Sequence, residues 1–344
     1  EFDRRDRKQM LAGDRIQINK TSEWISSELS ASEQGHKSTV VEQKREILIG
    51  QIEALLRKAP AKSRLELKLR LGKLYVELYY LQLARAQDEK GRLTASRTLE
   101  RARVLYSGLL QEYQNEPRRD QMLYFFAITS MDKGLHTESM RIFQEIIDRY
   151  PKSIFRYDAM VQLGDYHFEK SDYLTAEKFY VMLVNSKYKP LTPYSVYKRA
   201  WCAYNTKRTA FALQNFKWVV LNEEKFSAKQ RVRNEALNDM TLPYADLRLV
   251  DDAHQFYFTQ GDVVYRRSME SIAFLLYERG GYDDSIGIWQ KLSVIDPLHI
   301  KNSEYDLKIV NAYRIKRVRK NAMAHMNSAI PTYLGDTSWS NHNS

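Results

Sequence analysis

The sequence predicts an all-α solenoid, a right-handed superhelix of about six to seven helical hairpins. A small residue is followed twelve positions later by a second small residue and sixteen positions later by a large aromatic residue, and this unit recurs. The 344 residues include only 13 Gly and 8 Pro, whereas β-rich folds need many turn residues. Small residues let antiparallel helices approach closely, and the aromatic ring fills the wedge between hairpins. The units are Ala127, Ser139 and Phe143; Gly164, Ala176 and Tyr180; Ala200, Ala212 and Phe216; Thr241, Ala253 and Tyr257; Ala273, Ser285 and Trp289.

The residues that open and close these units follow a known repeat pattern. The first small residues of successive units are 32 to 41 residues apart. The stretch "LGDYHF" begins at Leu163, "TAEKFY" begins at Thr175, and Pro151 and Pro297 close their repeats. This pattern resembles the tetratricopeptide repeat (TPR) family, whose period is about 34 residues. The resemblance implies a scaffold that binds other proteins and implies no chemistry.

A second resemblance concerns cellular context. The stretch "YKRAWCAYNTKRTAFALQNFKWVV", residues 197–220, is similar to repeats of periplasmic TPR proteins of Gram-negative bacteria. Those proteins belong to the Tol–Pal system, outer-membrane assembly and the gliding motility machinery. The resemblance implies a scaffold or adaptor in a cell-envelope complex, periplasmic or associated with the outer membrane. A cytoplasmic TPR regulator or secretion chaperone stays open as an alternative.

The pattern also divides the chain. Residues 1–38 are predicted to be a partly ordered N-terminal arm, 39–60 a capping helix, 64–334 the solenoid and 335–344 a tail. The first repeat is expected to have a long connection over residues 86–94, because its second helix begins late.

The predicted turns and the last hairpin follow the same spacing. Gly134 and Gly280 lie seven residues after the first small residue of their units, where a helix end commonly adopts a left-handed conformation. Ser171 and Lys207 occupy the same position in two other units. A divergent last hairpin is predicted over about 303–329. Its small, small, large positions are Val310, Ala322 and Met326.

Motifs for catalysis or metal binding are missing from the sequence. The seven histidines lack metal-ligand spacing, the single cysteine cannot form a zinc knuckle, and no phosphate-binding glycine loop occurs. Paired acids such as Asp283 and Asp284 lie where helices begin, and there they stabilise the helix dipole. We therefore predict a protein that is not an enzyme, with no catalytic residue, metal, cofactor or small-molecule substrate. No apolar run is long enough to predict a transmembrane segment.

Aromatic residues are predicted to line the groove formed by the first helices. Aromatic side chains offer large contact area at little entropic cost, which suits capture of a peptide segment. Two alternatives stay open: the rings pack helix against helix, or the N-terminal arm fills the groove. The predicted groove residues are Tyr124, Phe168, Tyr194, Tyr197, Trp201, Tyr204, Asn205, Phe274 and Tyr277.

The charge favours acidic partners. The sequence has 54 basic and 43 acidic residues, giving a net charge of +11. Acidic or peptide-like protein segments are the expected partners, although ordinary solvated helix faces would also explain the clusters. A basic solenoid that binds nucleic acid or anionic surfaces is a further, less favoured alternative. The basic patches comprise Lys229, Arg231, Arg233, Arg314, Lys316, Arg317, Arg319 and Lys320.

Overall fold

A computed structural model describes residues 35–227, 231–335 and 337–343, and within them every regular element is helical. The fold is an all-α solenoid of TPR-type hairpins, as predicted. Lys229 and residues 1–34 of the predicted arm lie outside the described residues. The α-helices are α1 Gly35–Lys58, α2 Ala61–Arg85, α3 Glu89–Glu112, α4 Arg119–Asp132, α5 His136–Arg149, α6 Phe155–Glu169, α7 Tyr173–Val184, α8 Thr192–Asn205, α9 Thr209–Asn222, α10 Arg233–Asp239, α11 Thr241–Leu247, α12 Val250–Phe258, α13 Asp262–Glu278, α14 Tyr282–Ile295, α15 Asn302–Ile315, α16 Arg319–Tyr333 and α17 Ser338–His342.

The described residues divide into two compact units, with the boundary between Tyr166 and His167 inside α6. In the first unit, α1 packs on α2, and the hairpins α2–α3 and α4–α5 follow one another. In the second unit, the hairpins are α8–α9, α10–α11 with α12, α13–α14 and α15–α16. All fifteen residues of the five predicted units are buried, as close packing between helices requires.

Six of the described turns share one geometry. The residue seven positions after the first small residue has a positive φ: Gly134, Ser171, Lys207, Arg248, Gly280 and Arg317. The next N–H donates to the carbonyl five residues earlier, as in Leu135 to Ser130 and Val318 to Tyr313, both at 2.9 Å. This is the hydrogen bond that closes a helix through a left-handed residue. The left-handed turns predicted at Gly134 and Gly280 are therefore confirmed.

The first hairpin is longer because its helices are longer. The predicted connection over residues 86–94 is wrong, since α2 continues to Arg85 and α3 already begins at Glu89. The Asp88 side chain accepts a hydrogen bond from the Gly91 N–H at 2.7 Å and caps α3. The buried ring of Tyr106 packs so close to Gly72 that a Cβ there would lie 2.7 Å from the ring. Both helices are longer than those of the later hairpins, so Gly72 and the ring of Tyr106 still meet.

The first helix of the fourth unit, which contains Thr241, is broken in two. Proline lacks an N–H, so Pro243 cannot donate to the carbonyl of Asp239 one turn earlier. The helix is interrupted at Met240, which separates α10 from α11. The break directly follows Asp239, whose carboxylate accepts hydrogen bonds from side chains of α8.

The last hairpin follows the predicted register only in part. Arg317 has a φ of 61°, seven residues after Val310, and Ala322 is buried. Met326 is exposed, however, so the prediction that it fills a wedge between hairpins is wrong for the described part of the chain. The physical reason is that no described helix packs over this side of α16.

Candidate protein-binding face

In the second unit, consecutive first helices are joined by side-chain contacts. We call the surface that these helices share the first-helix face; its helices are α8, α10–α11, α13 and α15. Most of the predicted groove residues lie on it. Their burial and hydrogen bonds show which rings pack between helices and which are partly exposed to solvent.

Tyr197 and Trp201 on α8 share one carboxylate oxygen of the next hairpin. The Tyr197 hydroxyl donates to Asp239 Oδ2 at 2.6 Å, and Trp201 Nε1 donates to the same atom at 2.9 Å. Both rings also make edge contacts with Phe216. Burial raises the pKa of Asp239 to about 6, although the two donors act in the opposite direction. Tyr197 and Trp201 thus join two hairpins.

Tyr194 is committed to packing as well. Its ring is buried and meets the edge of Tyr180 with the centroids 6.4 Å apart. Contacts between helices therefore account for Tyr194, Tyr197 and Trp201, which is one of the alternatives that the sequence leaves open. Helix periodicity placed them on one face, but the following hairpin covers much of it. Binding of a partner by these three rings stays a prediction.

Tyr204 keeps part of its ring accessible while its hydroxyl is held in place. The hydroxyl donates to Asp246 Oδ2 at 2.7 Å, and Arg279 contacts Asp246 Oδ1 at 2.5 Å. The Trp201 ring stands perpendicular to Tyr204, with centroids 5.8 Å apart. Desolvation raises the pKa of Tyr204 to about 12, so the phenol stays protonated as a donor. The ring is a pre-positioned aromatic surface.

Asn205 follows Tyr204 at the end of α8. Its Nδ2 donates to the Trp201 carbonyl at 2.9 Å, and the residue is half-buried. This hydrogen bond orients the amide at the end of α8.

Two further half-exposed rings each have a lysine ammonium group over one face. Lys198 Nζ lies 3.8 Å from the centroid of Phe168, and Lys308 Nζ lies 5.4 Å from that of Phe274. Such contacts between a cation and an aromatic face contribute about 0.5–1 kcal/mol at exposed sites. Phe274 lies on α13, on the first-helix face, and is half-buried. Tyr277 instead turns towards α14, where it contacts Tyr282 and Trp289.

Tyr124 belongs to the first unit and is buried. Its ring stacks with Phe155 at 4.8 Å and contacts Phe125 and Phe143. The free chain therefore does not expose this ring on a groove wall.

The predicted basic residues serve different purposes. Arg233 donates to Gln260 Oε1 at 2.7 Å and to the Val220 carbonyl, and Lys316 forms an ion pair with Asp283. Arg231 and Arg314 are exposed. The exposed residues at the last turn that form no ion pair with any described residue are Arg317, Arg319 and Lys320.

Sequence reasoning missed the acids that partner the rings. Asp239 lies 42 residues after Tyr197, and Asp246 lies 42 residues after Tyr204. The two tyrosines and the two aspartates are each separated by two helical turns, so their spacing matches across the hairpins. Glu270 on α13 has a similar function, because it binds Lys301 Nζ at 2.7 Å and accepts from the Tyr305 hydroxyl. A search for matched pairs one repeat apart could have found these residues.

No protein-family model and no curated protein sequence matches the chain. The chain is similar to a solved TPR protein from Parabacteroides merdae, with 18% identity over 62% of this chain and 79% of that one and a TM-score of 0.40. It is also similar to the C-terminal part of a TPR protein from Cytophaga hutchinsonii, with 14% identity, coverage of 85% and 99%, and a TM-score of 0.44. A third similar structure is the Cut9–Hcn1 assembly of the APC/C, with 15% identity, coverage of 79% and 46%, and a TM-score of 0.42.

The described residues contain no group of three or more His, Cys, Asp and Glu side chains that could hold a metal ion. Their helices also include none that combines the length and the apolar character needed to cross a bilayer.

Proposed function

We propose that this protein is a non-catalytic scaffold that holds a segment of a partner protein on its first-helix face. The observation that supports the proposal is the Tyr204 ring, which is partly accessible yet fixed by Asp246 and by the perpendicular Trp201 ring. A ring held in one orientation loses little entropy on binding, and this is a property of aromatic hot spots. Asn205 on α8 and Phe274 on α13 belong to the same first-helix face.

The expected partner segment is acidic and partly apolar. A net charge of +11 attracts acidic proteins during encounter, while the accessible faces of Tyr204 and Phe274 contact apolar side chains after docking. We further propose that the complex belongs to a bacterial cell envelope, on the basis of the resemblance over residues 197–220. A periplasmic or outer-membrane-associated location follows from that part of the proposal.

Photocrosslinking in cells tests both parts. A benzoylphenylalanine placed at Tyr204 or Phe274 should crosslink one and the same protein. The same probe at Phe258, which is exposed near the end of α12, is the matched control and should not crosslink it. Equal crosslinking at all three positions, or none at Tyr204 and Phe274, would contradict binding on the first-helix face. A captured cytoplasmic protein would contradict only the envelope context.

A further inference from the structure

The outer side of α16 has the form of an inter-hairpin contact but lacks a partner among the described residues. On α9 the equivalent positions, counted from the start of each repeat, are Leu213, Phe216 and Val220, which are 4%, 1% and 5% exposed. Helices α10 and α11 cover them. On α16 these positions hold Met323, Met326 and Ile330, which are 49%, 42% and 43% exposed.

The neighbouring helix continues this surface. On α8 the positions facing the next hairpin are Tyr197 and Tyr204, which reach Asp239 and Asp246. On α15 the equivalent positions hold Leu307 and Arg314, both exposed. We call the surface formed by these two helices the α16 seat. It comprises Leu307, Arg314, Met323, Met326 and Ile330.

The described residues that follow α16 pack elsewhere and leave the seat uncovered. Trp339 Nε1 donates to the His299 carbonyl at 3.0 Å, and Asn343 Nδ2 donates to the Leu298 carbonyl at 2.9 Å. Helix α17 therefore lies beside the connection between α14 and α15. The exposed fractions of Met323 and Met326 are those with α17 in place.

Charge indicates what kind of helix fits. The segment that covers α9, residues 233–247, carries three acids and one arginine. One of those acids, Asp246, meets the hydroxyl of Tyr204, and in the α16 seat Arg314 takes the place of Tyr204. A carboxylate at that point would meet a guanidinium instead of a phenol, which is a stronger, charge-assisted contact. The exposed Arg317, Arg319 and Lys320 add positive charge at the same end of the hairpin.

We propose that the α16 seat binds an acidic amphipathic helix of a partner protein, with its apolar side against Met323, Met326 and Ile330 and a carboxylate opposite Arg314. The bound helix packs on α16 in the way that α10 and α11 pack on α9. The seat shares α15 with the first-helix face but contains neither Tyr204 nor Phe274, so the proposal does not depend on binding at those two rings. An amphipathic helix in an apolar groove is a common recognition mode.

The test uses the full chain with methyl-labelled methionine and a capped peptide of residues 233–247 as the probe. Nuclear magnetic resonance should show saturable shifts of the Met323 and Met326 methyl groups. Met182, which is exposed on α7, is the internal control and should not shift. A peptide with Glu235, Asp239 and Asp246 replaced by lysine should bind about tenfold more weakly, because it repels the basic end of the hairpin.

A charge-reversed variant makes the result specific. Arg314 is exposed, so Arg314→Glu should leave the fold unchanged. The variant should reduce the preference for the acidic peptide over the lysine-substituted one, while Arg317, Arg319 and Lys320 stay positive. Absence of shifts at about 1 mM peptide, where a complex of millimolar affinity is half-formed, would overturn the proposal. So would shifts that also include Met182. Shifts of Met323 and Met326 that grow with protein concentration without peptide would assign the seat to a second copy and would overturn it as well.

Discussion

Trp201 Nε1 donates to Asp239 Oδ2 at 2.9 Å, and this bond links α8 to the first helix of the next hairpin. The same oxygen accepts the Tyr197 hydroxyl at 2.6 Å. Two donors on one carboxylate oxygen stabilise the charged form, yet desolvation dominates and raises the pKa of Asp239 to about 6. A contact between hairpins therefore rests on a group that titrates near neutral pH.

The first prediction concerns the pH dependence of stability. Because the folded-state pKa of Asp239 is raised above its value of 3.8 in the unfolded chain, its contribution to stability is present below pH 3.8 and is lost as the pH rises through about 6. The free energy of unfolding should fall by about 1–3 kcal/mol from this group between pH 4 and pH 7. Denaturant titrations of the wild type and Asp239→Asn at both pH values measure it.

The Asp239→Asn variant should lose this part of the pH dependence. The buried His254 has its pKa lowered to about 4 by desolvation and acts with the opposite sign, but it is present in both proteins and cancels in the comparison. Identical pH profiles for wild type and variant would show that Asp239 does not titrate in this range.

The second prediction compares two glycines inside helices. Gly72→Ala would place a Cβ 2.7 Å from the Tyr106 ring, whereas Gly50→Ala meets nothing within 4 Å. Gly72→Ala should destabilise the protein by about 1–3 kcal/mol through overpacking. Gly50→Ala should stabilise it by up to about 1 kcal/mol, since alanine is the better helix former. Thermal unfolding of both variants tests this, and equal effects would argue against the close contact.

The third prediction uses the shared turn. Lys207 has a φ of 64° and Gly134 a φ of 87°, at equivalent positions. Lys207→Gly should stabilise the protein by up to about 1 kcal/mol, because glycine adopts the left-handed conformation without strain, while Gly134→Ala should destabilise it by about 1 kcal/mol. Chemical denaturation of each variant measures the change. Opposite signs at the two turns are required, so a stabilising Gly134→Ala would refute the common geometry.

The fourth prediction compares the contributions of two α8 rings to stability. Trp201→Ala removes a buried ring and a donor to Asp239, and it should cost about 3–5 kcal/mol of stability. Tyr204→Phe keeps the ring and loses only the hydroxyl bond to Asp246, so its cost should be about 1 kcal/mol. Calorimetric melting of the two variants distinguishes these outcomes. A Trp201→Ala protein as stable as the wild type would mean that this ring is not needed between hairpins.

The repeat architecture could be predicted from the sequence because small residues and aromatic rings at fixed spacing have few ways to pack. The turn at Gly134 follows from the same spacing. The length of the first hairpin could not be predicted from the sequence, because additional helical turns in α2 and α3 leave the contact between Gly72 and Tyr106 unchanged. Local sequence around Ala86 does not reveal whether those residues are helix or loop.

The candidate site was predictable only in outline. Helix periodicity identifies which side chains share a face with Tyr204, but it does not show what the next hairpin places over that face. Asp239 covers Tyr197 and Trp201 and leaves Tyr204 partly accessible. That distinction depends on a contact 42 residues away in the sequence, which a single repeat does not contain.

The most direct test of the proposed function is the affinity of the crosslinked partner for three single variants, measured by titration calorimetry. Tyr204→Ala and Phe274→Ala should each weaken binding by about 1–2 kcal/mol, as aromatic contacts near the centre of an interface do. Phe258→Ala, the exposed control on α12, should bind like the wild type. Equal affinities for all three variants, with melting temperatures unchanged, would contradict binding on the first-helix face.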